Sequence, residues 1–139
     1  MSIVQTQTTS FKAELYEGIH VLTTDVIKIA LYTANANLNA DTTVYSASNE
    51  ASGGNYVAGG AILTPVTVSL SLSDNTAFVG FPNFSWTGTI TARCALIYNF
   101  SKGNKSIAVL DFGSDKTSSN FTITMPANTS TTALIRSSY

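Results

Sequence analysis

Apolar and hydroxyl side chains alternate without a break in VTVSLSLS, residues 66–73. A period of two is typical of a β-strand that has one face in a core and the other in solvent. We therefore expect the valines and leucines of this stretch to be buried. Asp74-Asn75 follows with residues that favour a two-residue turn, and residues 76–84 form the return strand. This part of the chain predicts a β-hairpin.

The same period recurs on both sides of this hairpin. Residues 25–32 alternate, and so do residues 89–99, which join residues 106–112 across a four-residue loop containing Gly103. Pro65 and Pro82 are expected at strand ends, because proline cannot donate to a central ladder. Shorter strands are predicted at 44–45, 120–125 and 132–136. Seven or eight antiparallel strands predict an all-β fold, a jelly-roll-like β-sandwich.

The first twenty residues follow a different pattern. Residues 1–9 are polar and lack a sustained period, which predicts an extended N-terminal arm or, alternatively, a frayed terminus. Ser10 is expected to cap one short helix that ends at Gly18, with Phe11 and Leu15 packed against a sheet.

A long loop is predicted between the first strand and the hairpin at residues 66–84. Residues 33–60 are rich in Asn, Ser, Thr, Ala and Gly, and a loop of this length in a compact domain is usually functional. Gly53, Gly54, Gly59 and Gly60 are expected at sharp bends. The length of 139 residues fits one domain. We assign the arm to residues 1–9 and a single β-sandwich domain to residues 10–139.

Composition excludes several classes of function. Only 11% of the residues are charged and the formal net charge is −1, whereas an average domain carries about 25% charged residues. The seven Lys and Arg residues are scattered, which argues against nucleic-acid binding. No apolar run is long enough for a membrane helix, and no signal-peptide pattern opens the chain. We therefore expect no nucleic-acid or membrane partner and synthesis in a cytoplasm.

Catalytic or cofactor chemistry is not predicted. His20 is the only histidine and Cys94 the only cysteine, so a multi-thiolate metal site and an internal disulfide are excluded. We interpret both side chains as structural. Asp111 and Asp115 are spaced for an Asx turn and lack the ligand spacing of a calcium loop. No cofactor, metal or catalytic residue is assigned, and the protein is expected not to be an enzyme.

Aromatic side chains and the two irregular segments are the remaining candidates for a binding surface. Trp86 is expected in the core, although exposed rings such as Trp86 or Tyr56 could alternatively stack on a sugar. Other tyrosines lie at positions 16, 32, 45, 98 and 139. From the arm and the long loop we select six interface candidates: Ile3, Val4, Gln5, Tyr45, Asn49 and Tyr56.

Three segments carry a resemblance to a known family. They are TTSFKAELYEGIH at 8–20, KIALYTANANL at 28–38 continuing into TTVYSASNEASGGNYVAGG at 42–60, and ARCALIYNFSKGNKSIAVLDFGSDKT at 92–117. The chain resembles a family of small virion structural proteins of tailed bacteriophages and prophages, and ALIYN and AVLDFG are the most specific parts. The resemblance implies a virion component and no catalytic residues.

The function expected from both lines of reasoning is capsid decoration. A decoration, or cement, protein would bind the major capsid protein or other virion proteins on the capsid surface, as a homo-oligomer such as a dimer or trimer. Two alternatives stay open: a neck or tail adaptor or fibre-anchoring subunit, and a carbohydrate-binding β-sandwich module.

Overall fold

The computed structural model describes residues 2–138. Within them the helix α1 spans Thr9–Tyr16, and a short 3-10 turn spans Phe100–Lys102. The strands are β1 Thr6–Gln7, β2 Ile27–Tyr32, β3 Ala61–Ile62, β4 Thr67–Ser71, β5 Thr76–Gly80, β6 Phe84–Asn99, β7 Lys105–Ile123 and β8 Ile135–Ser138.

These strands form two antiparallel sheets. The main sheet has the order β1-β7-β6-β2-β3, and the small sheet has the order β4-β5-β8. The two sheets pack face to face over an apolar core that includes Ile29 and Ile97 of the main sheet and Val79 and Ile135 of the small sheet. The predicted all-β sandwich with one short N-terminal helix is confirmed.

The main sheet is covered on both faces. Its second face holds a separate apolar cluster in which Ala30, Leu96 and Val109 pack beneath Ala36 and Leu38 of the long loop. Strands that are buried on both faces read as nearly continuous apolar runs, and this explains the composition of β2 and of the second half of β6. The first part of the loop at residues 33–60 therefore forms a third layer over this face through Ala36 and Leu38, whereas Ala51 and Tyr56 pack against the main core. The loop has single bridges but contains none of the eight named strands.

The longest hairpin joins segments that the sequence predicts as separate strands. Residues 106–112 and most of 120–125 lie in one strand, β7. The Asx turn predicted at Asp111 is present, because Asp111 Oδ1 accepts a hydrogen bond from Gly113 N at 2.9 Å. The strand nevertheless continues, with residues 112–115 bulging opposite Arg93 alone. Bulges of this kind increase local twist and bend a strand.

The N-terminal segment lies against the main sheet. Within residues 1–9, of which Met1 is outside the described residues, Thr6 and Gln7 form β1 and pair with Val109 and Ala108. The predicted helix cap is wrong: Thr8 accepts from Phe11 N and caps the helix, two residues before Ser10. Phe11 is buried as expected, whereas Leu15 is exposed.

The apolar side of β4 is the clearest departure from the sequence prediction. Val68, Leu70 and Leu72 were expected in the core, and they are 52%, 66% and 82% exposed. The strand does alternate, and it pairs with β5 from Thr67–Gly80 to Ser71–Thr76. The first pair on the apolar side, Val68–Val79, reaches the core through Val79. Beyond it the hairpin extends past the covering sheet, so the leucines meet solvent.

Glycines allow the long loop to approach the strands closely. Gly53, Gly54, Gly59 and Gly60 all have positive φ, as the predicted bends require. A Cβ on Gly60 would lie 1.8 Å from the carbonyl oxygen of Ile29. Only glycine fits at this position.

Candidate interaction surfaces

The arm and the long loop, predicted separately as contact elements, lie together. Ile3 forms a parallel bridge with Leu38. Val4 N donates to Leu38 O at 3.0 Å, and Leu38 N donates to Ser2 O at 2.8 Å. We call residues 2–5 and 33–60 the arm–loop layer. Its exposed apolar side chains are Val4, Val44 and Val57.

The structure divides the six predicted interface residues into two groups. Val4, Gln5 and Asn49 are exposed, and Ile3 is half-buried against the second core cluster. Tyr45 and Tyr56 turn inward instead. Their rings pack against the two cores, and their hydroxyl groups are bound inside the protein. These two tyrosines hold the layer in place and present little of themselves to a partner.

Glu50 is the residue that binds both tyrosines. Its Oε1 accepts from Tyr45 Oη at 2.6 Å, and its Oε2 accepts from Tyr56 Oη and, at 2.8 Å, from Gly59 N. Tyr56 Oη also accepts from Leu31 N at 2.9 Å, which links the cluster to β2. Burial, together with the hydrogen bond to the Glu50 carboxylate, raises the pKa of both tyrosines above the ordinary value.

Two further tyrosines anchor the same loop from the strands. Tyr98 of β6 donates to Gly59 O at 2.6 Å, and Tyr32 of β2 donates to Ser46 O at 2.6 Å. Burial, with a smaller contribution from the Glu50 charge, raises the pKa of Tyr98 to about 12 and that of Tyr32 further. The Tyr45 and Tyr98 rings stack at 4.8 Å. Sequence reasoning missed Glu50, although it is one of two carboxylates in the loop and stands between the two tyrosines.

The exposed side of β4 forms a second candidate surface. We call Val68, Leu70 and Leu72 the β4 stripe. The strand order β4-β5-β8 leaves β4 at the edge of the small sheet. A flat, apolar edge strand is a template for pairing with another chain unless charge or proline protects it. Residues 61–73 contain no charged side chain, and their one proline, Pro65, lies two residues before β4 begins.

A cleft of about 1060 Å³ beside β7 forms the third surface. Its apolar wall includes Phe112, Phe121, Met125 and Leu134, and Gln5 of the arm lies at one end. We call it the β7 cleft. β1 covers the outer edge of β7 only at Ala108 and Val109. Sequence reasoning did not find this cleft, because no local pattern shows which part of a strand stays unpaired.

The side chains considered for catalysis are enclosed. The His20 side chain is fully buried, with Nε2 2.8 Å from Glu14 Oε1 and Nδ1 3.0 Å from Asn99 Nδ2. Asn99 Nδ2 also donates to Asp25 Oδ2 at 2.8 Å, which fixes the amide orientation. His20 Nδ1 therefore accepts a hydrogen bond from Asn99 Nδ2, and His20 Nε2 donates one to Glu14 Oε1. Solvent does not reach this ring, so it cannot contact a substrate in this conformation.

The remaining reactive groups are also structural. Burial raises the pKa of the Cys94 thiol to about 12, so the nucleophilic thiolate is scarce at neutral pH. Burial alone would raise the pKa of Asp25, but hydrogen bonds from Asn99 and Lys102 outweigh it and lower that pKa.

In residues 2–138 no group of three or more His, Cys, Asp or Glu side chains could hold a metal ion. The same residues contain no helix with the length and hydropathy to cross a membrane.

Trp86 lies in the main core, as expected, and is 3% exposed. Its ring packs against Phe84 at 4.7 Å and Tyr56 at 5.6 Å. Trp86 therefore offers no open face on which a sugar could stack, and Tyr56 is half-buried with its hydroxyl group bound by Glu50. Tyr139 lies outside the described residues.

No family model, no curated protein and no solved structure matches this chain.

Proposed function

We propose that this chain is a structural subunit of a bacteriophage virion, and that it acts as a capsid decoration protein. The observation that carries the proposal is the joining of the arm and the loop into one layer through the Leu38 hydrogen bonds. This layer exposes Val4, Val44 and Val57, which come from two separate parts of the chain. A contact surface assembled in this way can span two neighbouring capsid subunits.

The mechanism would be stabilisation by binding. A ligand that binds only the assembled lattice shifts the equilibrium towards that lattice by mass action. Each contact can be weak, since many copies and several contacts per copy hold together through effective concentration. Apolar contact also suits a chain with a net charge of −1, because little long-range repulsion opposes close packing.

The Glu50 cluster supports this function through rigidity. The four tyrosine hydroxyls and Glu50 tie the loop to β2 and β6, so little conformational freedom is left to lose on binding. Pre-ordering of a contact surface improves affinity by reducing that entropic cost.

The test is add-back of the purified chain to capsids that lack it. Wild type is expected to bind in hundreds of copies per particle and to raise the temperature at which capsids open. Val4→Asp with Val57→Asp should reduce the bound amount at least tenfold, because each charge would be buried in an apolar contact. Val21→Asp, a valine of similar exposure to Val4 that lies outside both the arm–loop layer and β4, is the matched control and should bind like wild type.

Two results would overturn the proposal. One is no binding of the wild-type chain to such capsids, and the other is equal loss of binding in the Val21→Asp control. Copy number also separates the virion alternatives: a dozen copies or fewer per particle would favour a neck or tail position.

A further inference from the structure

β4 has two unsatisfied features on the same strand. Its outer backbone edge has no partner strand within residues 2–138. Its apolar side, the β4 stripe, is also uncovered, with Leu72 82% exposed. Pairing two β4 edges side by side would satisfy the backbone but leave the leucines in water. A partner that satisfies both features of β4 must supply both a strand edge and an apolar wall.

The β7 cleft supplies both. On the outer side of β7, the pairing with β1 ends at Val109, and Asp111 N donates a hydrogen bond to Gln5 Oε1 at 3.1 Å. From Phe112 to Ile123 no strand among the described residues pairs with this edge. The cleft wall beside it is formed by the rings of Phe112 and Phe121, with Met125 and Leu134.

The two surfaces also match in charge and length. Among the residues that line the cleft, Asp115 and Lys116 are the charged pair, and their charges cancel. A charged occupant would leave an uncompensated charge against the apolar wall, whereas residues 61–73 carry none. From Val68 to Leu72 the stripe extends about 13 Å at 3.3 Å per residue. The open edge of β7 is longer than this.

We propose that β4 of one copy of this chain adds to the open edge of β7 in a second copy and inserts the β4 stripe into the β7 cleft. Strand addition of this kind is a known mode of recognition, in which main-chain bonds give affinity and side-chain pockets give specificity. β4 and β8 are opposite edges of the small sheet, and Leu134, which precedes β8, lines the cleft. A copy therefore does not fill its own cleft.

The contact is head to tail, so each copy has one strand to give and one cleft to fill. Heterologous contacts of this kind produce rings when the rotation closes and open chains when it does not. The exposed parts of the three stripe residues amount to on the order of 200 Å², against about 800 Å² per partner in a standard interface. One contact should be weak in solution and become strong when repeated in an assembly.

The experiment uses the purified full chain, so it does not depend on the capsid function. In sedimentation velocity, the average mass of wild type is expected to rise with protein concentration, up to concentrations on the order of 1 mM, as for a weak complex. Leu70→Asp with Leu72→Asp removes the strand partner, and Ser118→Glu with Thr124→Glu charges the exposed wall of the cleft. Both altered surfaces are then negative and repel each other in a mixture. Each double variant alone should remain monomeric. Val57→Asp should associate like wild type, and its amide spectrum, like those of the variants, should remain that of a folded chain.

Mixing the two double variants is the decisive step. One retains an intact cleft and the other an intact β4, so the mixture should form a heterodimer and nothing larger. Association of the Ser118→Glu, Thr124→Glu variant alone would overturn the proposal in favour of pairing between two β4 edges. Association of the Leu70→Asp, Leu72→Asp variant alone, a monomeric mixture, or a wild type that stays monomeric at the highest concentration would each refute it.

Discussion

Glu50→Ala should be the most damaging single truncation in the long loop. It removes the acceptor of three hydrogen bonds, from Tyr45 Oη, Tyr56 Oη and Gly59 N. A hydrogen bond to a charged group contributes about 1.5–3 kcal/mol, and a buried donor left without a partner costs about 1–3 kcal/mol. Tyr45 is only half-buried and would regain water, so we expect a net loss of about 3 kcal/mol in the free energy of unfolding.

The measurement is urea unfolding followed by the fluorescence of Trp86, whose ring lies 5.6 Å from that of Tyr56. Hydrogen exchange should locate the effect, with faster exchange at the amides of Leu31 and Gly59, which bind this cluster. Asp41→Ala is the matched control, because it removes an exposed carboxylate from the same loop and should change stability by less than about 0.5 kcal/mol. A Glu50→Ala variant within about 0.5 kcal/mol of wild type would refute the anchoring role of this carboxylate.

Three further predictions follow from buried groups and close contacts. The raised pKa values of Tyr32, Tyr45, Tyr56 and Tyr98 mean that the unfolded chain loses protons first as pH rises. Stability should begin to fall near pH 9, where Cys94 titrates in the unfolded chain, and should fall further above pH 10 by up to about 1.4 kcal/mol per pH unit for each such tyrosine. Urea titrations at pH 8 to 11.5 that show no loss would contradict this. Gly60→Ala should unfold the domain or lower the free energy of unfolding by more than about 3 kcal/mol, because its Cβ would lie 1.8 Å from Ile29 O. Gly103→Ala, with open space around a similar positive φ, should lower it by about 1 kcal/mol. Equal thermal midpoints of the two variants would count against the close approach. Cys94 should react with a thiol reagent at the rate of global unfolding, and fast labelling of the native protein would show that the thiol is accessible.

Strand periodicity predicted where the chain is extended but not which side is covered. For VTVSLSLS the period correctly gave β4, yet the apolar side of the strand extends beyond the covering sheet. Burial depends on the position of the other sheet, which no alternation within eight residues encodes. The same limit applies to β7, where Asp111 and Gly113 do form the expected Asx turn inside a strand that continues past it.

The arm and the loop were identified as unusual segments from their composition, and the structure joins them into one layer. Their individual residues were harder to assign. Tyr45 and Tyr56 look like exposed contact residues in a polar loop, but Glu50 gives their hydroxyl groups a buried partner. A tyrosine with a satisfied hydroxyl group can be covered at little cost, and that partner is visible only once the loop is folded.

An electron-microscopy map of the phage particle that is proposed to contain this chain would show whether the arm–loop layer is a contact surface. We expect density for this chain at repeated positions on the particle, with Val4, Val44 and Val57 of the arm–loop layer against neighbouring virion subunits. A map of the complete particle that lacks the chain, or that leaves the arm–loop layer facing solvent in every copy, would contradict it.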